Sequence, residues 1–229
     1  MNLFSKIRRK WIKLRLRPIR VFCLHHVCAS FDTESMNECD WMQIDEFKHK
    51  VLAMKLDGVE FISLSDGYHH ICDDWIRRKR YAVLTFDDGY VSLKEILPWL
   101  LEEQNIPVTL FINGKYLDGK SYRKNPKERY LTQEELFALT STMIGIGSHG
   151  WEHIRATEQT EQEYKDSVEK NIALLRQHPR YVPYHAYTYG SHSDNHDAIL
   201  KELNIVPVLI DGNKNYNDTA SIHRELINE

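Results

Sequence analysis

The chain has 229 residues, of which 42% are hydrophobic and 28% are charged; this composition supports one sizeable core and excludes the disordered and fibrous classes. The formal net charge of -3 gives the chain as a whole no electrostatic attraction to nucleic acid or to anionic lipid. The length suits a single domain, and α/β barrels are often of this size.

The first 18 residues form a basic segment that is set apart by its charge. Its Lys and Arg side chains are interleaved with apolar residues such as Trp11 and include no acidic neighbour, so it lacks the continuous apolar run of a secretory signal. A basic helix that ends before Pro18 could make peripheral contact with an anionic membrane; a solvated terminus packed on the domain is the alternative. Without an export signal, we expect a cytoplasmic protein, located at the inner membrane face if this segment binds lipid.

The four cysteines, Cys23, Cys28, Cys39 and Cys72, are expected to be free thiols in a reducing compartment. The stretch "CLHHVC" at 23–28 gathers cysteines and histidines, but its spacing fits none of the paired zinc knuckles. Its apolar surroundings indicate a buried strand.

From residue 19 onward, short apolar runs alternate with helical patterns, which predicts α/β architecture with largely parallel strands. The predicted strands are 20–27, 60–65, 81–88, 107–113, 144–149, 184–190 and 206–211. The predicted helices are 44–58, 92–105, 132–143 and 161–178. Gly58 is a usual helix stop, and Thr132 with Glu135 has capping-box spacing. These elements suit either a barrel or an open doubly wound sheet, in one domain that covers 19–229.

The stretch "VLTFDDGY" at 83–90 ends an apolar strand with two adjacent carboxylates. Neighbouring side chains on a strand point to opposite faces, so Asp87 and Asp88 form either a solvated corner or the edge of a site. In α/β folds, catalytic and binding side chains usually lie at the carboxyl ends of the strands and in the loops that follow them. His149 and Tyr189 also fall at predicted strand ends.

In "GIGSHGWEHI", His149 and His153 are four residues apart. A helical turn after Gly150 would bring both imidazoles to one side, where they could bind one divalent cation together with a carboxylate. Two surface histidines at a helix start are the alternative, because an H-x-x-x-H pattern alone is weak evidence.

Taken together, these motifs resemble the polysaccharide deacetylase family, whose catalytic unit is the NodB homology domain of the carbohydrate esterase family 4 type. "TFDDG" at 85–89 matches the first motif of that family, and "SHGWEH" at 148–153 matches the second. "HAYTYG" at 185–190 is similar to the "FAYPYG" form of the third motif, and "CLHHV" at 23–27 is similar to the opening strand. The resemblance extends from about residue 19 to the end of the chain.

This resemblance implies a single-domain, distorted (β/α)7-type barrel and a metal-dependent hydrolase that removes N-acetyl groups, or O-acetyl groups, from a glycan or glycan precursor. If the motif residues have the same roles as in that family, Asp87 is the general base, and Asp88, His149 and His153 bind the metal. The ion is expected to be zinc, with cobalt, nickel and manganese as alternatives. The expected partner is an N-acetylated carbohydrate and not a nucleic acid.

The resemblance also implies roles for Tyr189 and His223. The backbone N–H of Tyr189 would stabilise the oxyanion, although Thr188 replaces the usual proline before it. His223 in "SIHREL" is either the general acid or a histidine of the closing strand.

Two more side chains are candidates for substrate contact. His25 would lie near the substrate or simply pack in the barrel, and Trp151 would stack on a sugar or cover the core. Two other functions are alternatives to deacetylation. They are a hydrolase of cyclic amides on the same fold and a catalytically silent glycan-binding scaffold. The presence of Asp87, Asp88 and both motif histidines argues against the silent scaffold.

Overall fold

The structure is a computed structural model that describes residues 17–29, 41–73, 79–121, 129–216 and 220–227. Nearly all of the basic segment 1–18, and Cys39, therefore lie outside the described residues, and the predictions made for them stay predictions. No helix within the described ranges is long and apolar enough to cross a membrane.

The described residues form strands and helices that alternate along most of the chain. The strands are β1 Arg20–Leu24, β2 His26–Cys28, β3 Trp41–Gln43, β4 Val59–Phe61, β5 Arg80–Phe86, β6 Val108–Ile112, β7 Ile144–Ser148, β8 Tyr181–Ala186, β9 Val206–Ile210 and β10 Ile222–Leu226. The helices are α1 Ile44–Leu56, α2 Leu64–Asp73, α3 Leu93–Pro98, α4 Gln133–Phe137, α5 Glu161–Leu175 and α6 Asp194–Glu202.

Seven parallel strands close into a barrel. β5, β6, β7, β8, β9 and β10 follow one another in chain order, and β1 completes the ring by pairing with both β10 and β5. β4 adds to the edge of β5, and β2 pairs separately with β3. The predicted single-domain (β/α)7-type barrel is confirmed, and the open doubly wound sheet is excluded.

Several element boundaries differ from the sequence prediction. The predicted strand 60–65 stops at Phe61, because Ser63 Oγ accepts the Asp66 N–H and starts α2 instead. The predicted helix 92–105 becomes α3 followed by a π-helical turn at Trp99–Glu103. α2, β3 and α6 were not predicted. The stop at Gly58 (φ 78°) and the capping box of Thr132 and Glu135 are present as predicted.

The core has an inner and an outer layer. A buried cluster with residues from six of the barrel strands fills the lumen: Val21, Val83, Phe111, Tyr184, Ala186, Val208 and Ile222. A second cluster joins the outer strand faces to the helices through residues such as Phe47, Ile96 and Leu175. At Gly147 a Cβ atom would lie only 2.6 Å from the Phe111 ring, so glycine lets β7 approach the lumen packing closely.

Asn171 of α5 fixes the ends of β6 and β7, where the site is built. Its side chain is fully buried and donates hydrogen bonds to the Ile112 carbonyl (2.8 Å) and to Ser148 Oγ (2.9 Å). It also accepts the Gly114 N–H at 2.8 Å. Three backbone and side-chain groups at the rim of the barrel therefore depend on one amide.

Replacing this amide should destabilise the barrel. We expect Asn171→Leu, which keeps the shape but removes the hydrogen bonds, to lower the free energy of unfolding by about 3 kcal/mol because buried polar groups lose their partner. Urea denaturation measures this. The exposed Asn195→Leu on α6 is the matched control and should cost under about 1 kcal/mol; equal losses in the two variants would contradict the role given to Asn171.

Candidate active site

The strand register brings polar side chains to the carboxyl-terminal rim of the barrel. Leu24 of β1 pairs with Phe86 of β5, and Ile112 of β6 pairs with Ser148 of β7. The residues that follow these pairs are His25, Asp87, Asn113 and His149. Each of these residues directly follows the last residue of its strand. Their side chains therefore lie at the same end of the barrel.

Asp88, His149 and His153 converge at this rim. Asp88 Oδ1 lies 3.4 Å from His149 Nε2 and 3.1 Å from His153 Nε2, and the three ligand atoms lie within 4.8 Å of one another. Asp88 turns away from the strand direction because its backbone has a φ of 70°, followed by Gly89 at 78°. A left-handed conformation at two successive residues is what separates Asp88 from Asp87.

His149 and His153 meet without the helical turn that the sequence analysis considered. The chain bends after Gly150 (φ 80°), and residues 151–153 form no helix. The two imidazole centroids nevertheless lie 5.3 Å apart. The Asn113 side chain maintains this bend by donating to the backbone carbonyl of His149.

The tautomer of His149 is set by its second ring nitrogen. Nδ1 donates to the Ala186 carbonyl at 2.7 Å, so the lone pair of the neutral ring is on Nε2 and faces Asp88. Burial lowers the pKa of His149 and outweighs the raising effect of Asp87 and Asp88. A neutral imidazole with an inward lone pair is the form that binds a metal.

Asp87 lies on the lumen side of the rim and pairs with Arg224 of β10. The guanidinium is bidentate: Nη1 donates to Oδ1 at 2.6 Å and Nη2 donates to Oδ2 at 2.8 Å. Both side chains are nearly inaccessible, with 0% exposure for Arg224 and 4% for Asp87. Burial alone would raise the pKa of Asp87, but the opposing effect, chiefly that of the Arg224 guanidinium, lowers it to about 2, so the carboxylate is ionised at neutral pH.

Arg224 is the main residue that the sequence analysis missed. Ile222, Arg224 and Leu226 alternate along β10, so a single arginine takes an inward position between two apolar ones. An arginine at such a position needs a buried acid as partner. This pattern in "IHREL" is the signal that could have indicated a link to the "TFDDG" motif.

Cys23 and Arg155 line the cavity at the rim, although neither was predicted to lie there. The Cys23 thiol lies 3.4 Å from Asp87 Oδ2, and burial raises the pKa of this thiol well above its ordinary value. Arg155 places its guanidinium 4.2 Å from the centre of the Tyr189 ring. Tyr189, which is 51% exposed and has a φ of 57°, also contacts the His153 ring at 4.6 Å.

The cavity that results has a volume of about 270 Å³. It is lined by Cys23, His25, Asp87, Asp88, His149, His153, Arg155, Tyr187, Tyr189 and Ile210. Of the predicted site residues, the structure therefore brings together the carboxylate pair, both motif histidines, Tyr189 and His25.

Two predicted site residues lie elsewhere. His223 Nδ1 is hydrogen-bonded to Asp211 Oδ2 at 2.8 Å. The residue lines a different cavity, together with Ile19 and Asn215. It is next to Arg224 on β10, and alternation along the strand turns it away from the lumen; the prediction that His223 serves as the acid at this site does not fit this position.

Trp151 is also displaced from the cavity. Lys170 Nζ lies 4.1 Å from its ring centre, and its ring edge packs over Gly114. This tryptophan lines a neighbouring groove with Glu158 and Asp166. Trp151 could therefore stack on a sugar only if the glycan extended from the rim into this groove.

The donor set fits a divalent cation. Asp88 Oδ1 is buried and accepts no hydrogen bond from any described residue, although two imidazole nitrogens face it. One carboxylate and two neutral imidazoles form a common ligand set for zinc and similar ions, with positions left open for water and substrate.

Comparisons with known proteins agree with the sequence motifs. The sequence profile of the polysaccharide deacetylase family matches residues 76–208, which is more than half of the chain. No curated protein matches the sequence.

Solved structures show the same fold over nearly the whole chain. IcaB from Ammonifex degensii is 20% identical, with a TM-score of 0.75 and 91% of each chain covered. The Streptococcus pyogenes deacetylase PplD, in complex with acetate, is 18% identical, with a TM-score of 0.79 and 92% of each chain covered. A de-N-acetylase from Aggregatibacter actinomycetemcomitans is 15% identical, with a TM-score of 0.72, and the match covers 92% of this chain and 95% of the other.

The buried ion pair predicts non-additive effects on stability. Arg224→Met leaves Asp87 buried without a partner, and we expect it to lower the free energy of unfolding by about 3–5 kcal/mol. Adding Asp87→Asn to this variant should recover part of the loss, because no uncompensated charge then remains in the lumen. Urea denaturation of the two single variants and the double variant measures the coupling; strictly additive losses would show that the pair does not interact.

Proposed function

Because this chain belongs to the polysaccharide deacetylase family, and is therefore a hydrolase of non-peptide carbon–nitrogen bonds, we propose that it removes N-acetyl groups from a glycan or glycan precursor with the help of a divalent metal. The observation that carries the proposal is the convergence of Asp88, His149 and His153 beside the ionised Asp87. The polysaccharide substrate class comes from the family. The acetylated amino sugar and the metal dependence are the further steps of the proposal.

Asp88, His149 and His153 would hold the metal, with zinc as the favoured ion. When bound, such a cation lowers the pKa of a water molecule and polarises an acyl carbonyl. The Ala186 carbonyl supports this role, because its hydrogen bond fixes the His149 ring with Nε2 directed inward.

Asp87 is assigned the role of general base. Its Oδ2 lies 4.0 Å from His149 Nε2, so a water molecule held at the edge of the metal-ligand group would be within its reach. Arg224 keeps the carboxylate ionised and holds it in one orientation through two hydrogen bonds. The carboxylate is therefore in its ionised form over the whole neutral pH range.

His25 replaces His223 as the group proposed to protonate the leaving amine. It lines the cavity with Asp87, whereas His223 lies outside it. Among the described residues, His25 Nδ1 is buried and has no hydrogen-bond partner. An imidazole at this position can hold a proton and release it to an amine on the substrate side of the cavity.

Substrate size follows from the cavity and its open side. A volume of about 270 Å³ is below the range of pockets that enclose a drug-sized ligand. One sugar unit or its acetamido group would therefore enter, while the rest of a glycan would lie across the rim near the exposed Tyr189 ring. Tyr189 and Arg155 are placed to contact that neighbouring unit. The cytoplasmic location and the membrane contact of the basic segment stay predictions.

Metal binding should depend on the three assigned ligands. We expect Asp88→Ala and His149→Ala to lose the zinc that the unaltered protein retains after dialysis, because two ligands bind far more weakly than three. Elemental analysis measures the metal content. Thermal unfolding with added zinc should show stabilisation, of about 2.7 kcal/mol at a hundredfold excess over Kd, in the unaltered protein and not in the variants.

The exposed His69→Ala on α2 is the matched control for metal binding, and it should keep its zinc. Full zinc content in Asp88→Ala or His149→Ala would remove these residues from the ligand set.

Turnover should depend on Asp87 while Asp88, His149 and His153 keep their metal. We expect Asp87→Asn to lower acetate release from N-acetylglucosamine oligosaccharides by about 10²- to 10⁴-fold, since the general base is lost. The assay is run below the reduced melting temperature of the variant, because Arg224 is left unpaired. The exposed Asp194→Asn on α6 is the matched control and should keep full turnover.

Parallel assays with an O-acetylated sugar and with a cyclic imide separate the alternatives. Full turnover by Asp87→Asn would refute the assigned base. Hydrolysis of the cyclic imide without acetate release from any glycan would favour the cyclic-amide alternative, and inactivity on all substrates would favour a silent scaffold.

A further inference from the structure

A second group of metal-ligand side chains lies in the same cavity. It consists of Cys23, His25 and Asp87, whose ligand atoms lie within 4.8 Å of one another. None of these residues belongs to the group of Asp88, His149 and His153. The cavity therefore contains two potential ligand sets.

The register of β1 and β5 creates the second group. Leu24 pairs with Phe86, and the Asp87 N–H donates to the Leu24 carbonyl at 2.8 Å, so the residues around this pair face each other. Cys23 reaches Asp87 Oδ2 from the lumen face of β1, at 3.4 Å. His25 follows the end of β1 and joins them from the rim.

Each of the three side chains has an electron pair available for a cation. Asp87 Oδ2 accepts a hydrogen bond from Arg224 at 2.8 Å, which uses one lone pair and leaves another. In the described part of the chain, His25 Nδ1 is buried and has no hydrogen-bond partner. The thiol of Cys23 becomes a strong metal ligand once its proton is released.

The chemistry of this set selects a thiophilic ion. One thiolate, one imidazole and one carboxylate suit zinc, cobalt or cadmium and disfavour magnesium and calcium, which prefer oxygen ligands. The thiolate and the carboxylate carry two negative charges, whereas a divalent cation and the Arg224 guanidinium, which stays paired with Asp87, carry three positive charges. The occupied site therefore has a net charge of +1, which limits its affinity.

We propose that Cys23, His25 and Asp87 form a second, thiophilic divalent-cation site next to the site of Asp88, His149 and His153. Binding breaks the S–H bond of Cys23 and forms a sulfur–metal bond, and the proton passes to solvent. No oxidation or reduction takes place. The displaced proton makes this site weaker than the first at neutral pH.

Occupation of the second site would inhibit the reaction. It would use the free lone pair of Asp87 Oδ2 and the unpaired nitrogen of His25, which are assigned above as base and acid. Low zinc would then activate the protein, and excess zinc would inhibit it. This consequence rests on the proposed deacetylase function, whereas the existence of the site does not.

Cobalt titration tests the site directly, without turnover. With Co²⁺ in excess of one equivalent, the protein should develop a near-ultraviolet thiolate-to-cobalt charge-transfer band and release one additional proton into a weakly buffered solution. Cys23→Ser and Cys23→Ala should lack both signals. Their folded state is checked by circular dichroism, so that loss of the band cannot arise from unfolding.

A variant with Cys23 as its sole cysteine is the matched control. In Cys28→Ser/Cys39→Ser/Cys72→Ser, the band should keep its full intensity. Absence of the band from the unaltered protein at several equivalents of Co²⁺, or an undiminished band in Cys23→Ser, would overturn the proposal.

Zinc inhibition provides the second measurement. In the unaltered protein acetate release should rise and then fall with zinc, and in Cys23→Ala the zinc concentration for half-inhibition should increase at least about tenfold, as expected for the loss of one of three ligands. A charge-transfer band in a protein that deacetylates nothing would support the site and refute the function. Deacetylation without the band would support the function and refute the site.

Discussion

The ion pair between Arg224 and Asp87 is the interaction on which the arrangement of the site depends. It joins the last strand of the barrel to β5, inside a lumen that otherwise consists largely of apolar side chains. Burial disfavours the charged form of Asp87, and without Arg224 the carboxylate would lose the largest opposing effect and two hydrogen bonds that hold it in one orientation. The pair therefore gives Asp87 both its charge and its orientation, and the hydrogen bond from Arg224 to Thr85 anchors it within β5.

Closure of the barrel explains why residues far apart in the sequence meet. β1 pairs with both β5 and β10, so the first and last described strands become neighbours. Each parallel pairing aligns the ends of two strands at the same rim, which places His25, Asp87 and His149 one residue beyond their strands. The positive φ of Asp88 then turns its carboxylate toward the imidazoles, while Asp87 keeps the inward direction of the strand. Two adjacent acids consequently have two different environments.

Asp87 connects the two ligand groups of the cavity. Its Oδ2 contacts Cys23 and lies 4.0 Å from His149 Nε2. A carboxylate oxygen of the proposed thiophilic site thus lies next to the predicted metal site. A group that must remain free to accept a proton is, for the same reason, free to bind a second cation. If the proposed thiophilic site binds metal, Cys23 would couple the proposed reaction to the concentration of that metal.

The sequence by itself determined the alternating α/β pattern, the family and the residues of the two main motifs, because hydrophobic periodicity and motif spacing are local properties of the chain. Only the tertiary structure decided which side chains share the cavity. Strand pairing brought Cys23 into the cavity and placed Arg224 against Asp87, whereas His223 and Trp151 lie outside the cavity because of the direction of their side chains. A one-residue difference on a strand reverses the face of a side chain, as His223 and Arg224 show. That choice depends on the register between strands distant in sequence, which no single stretch of residues specifies.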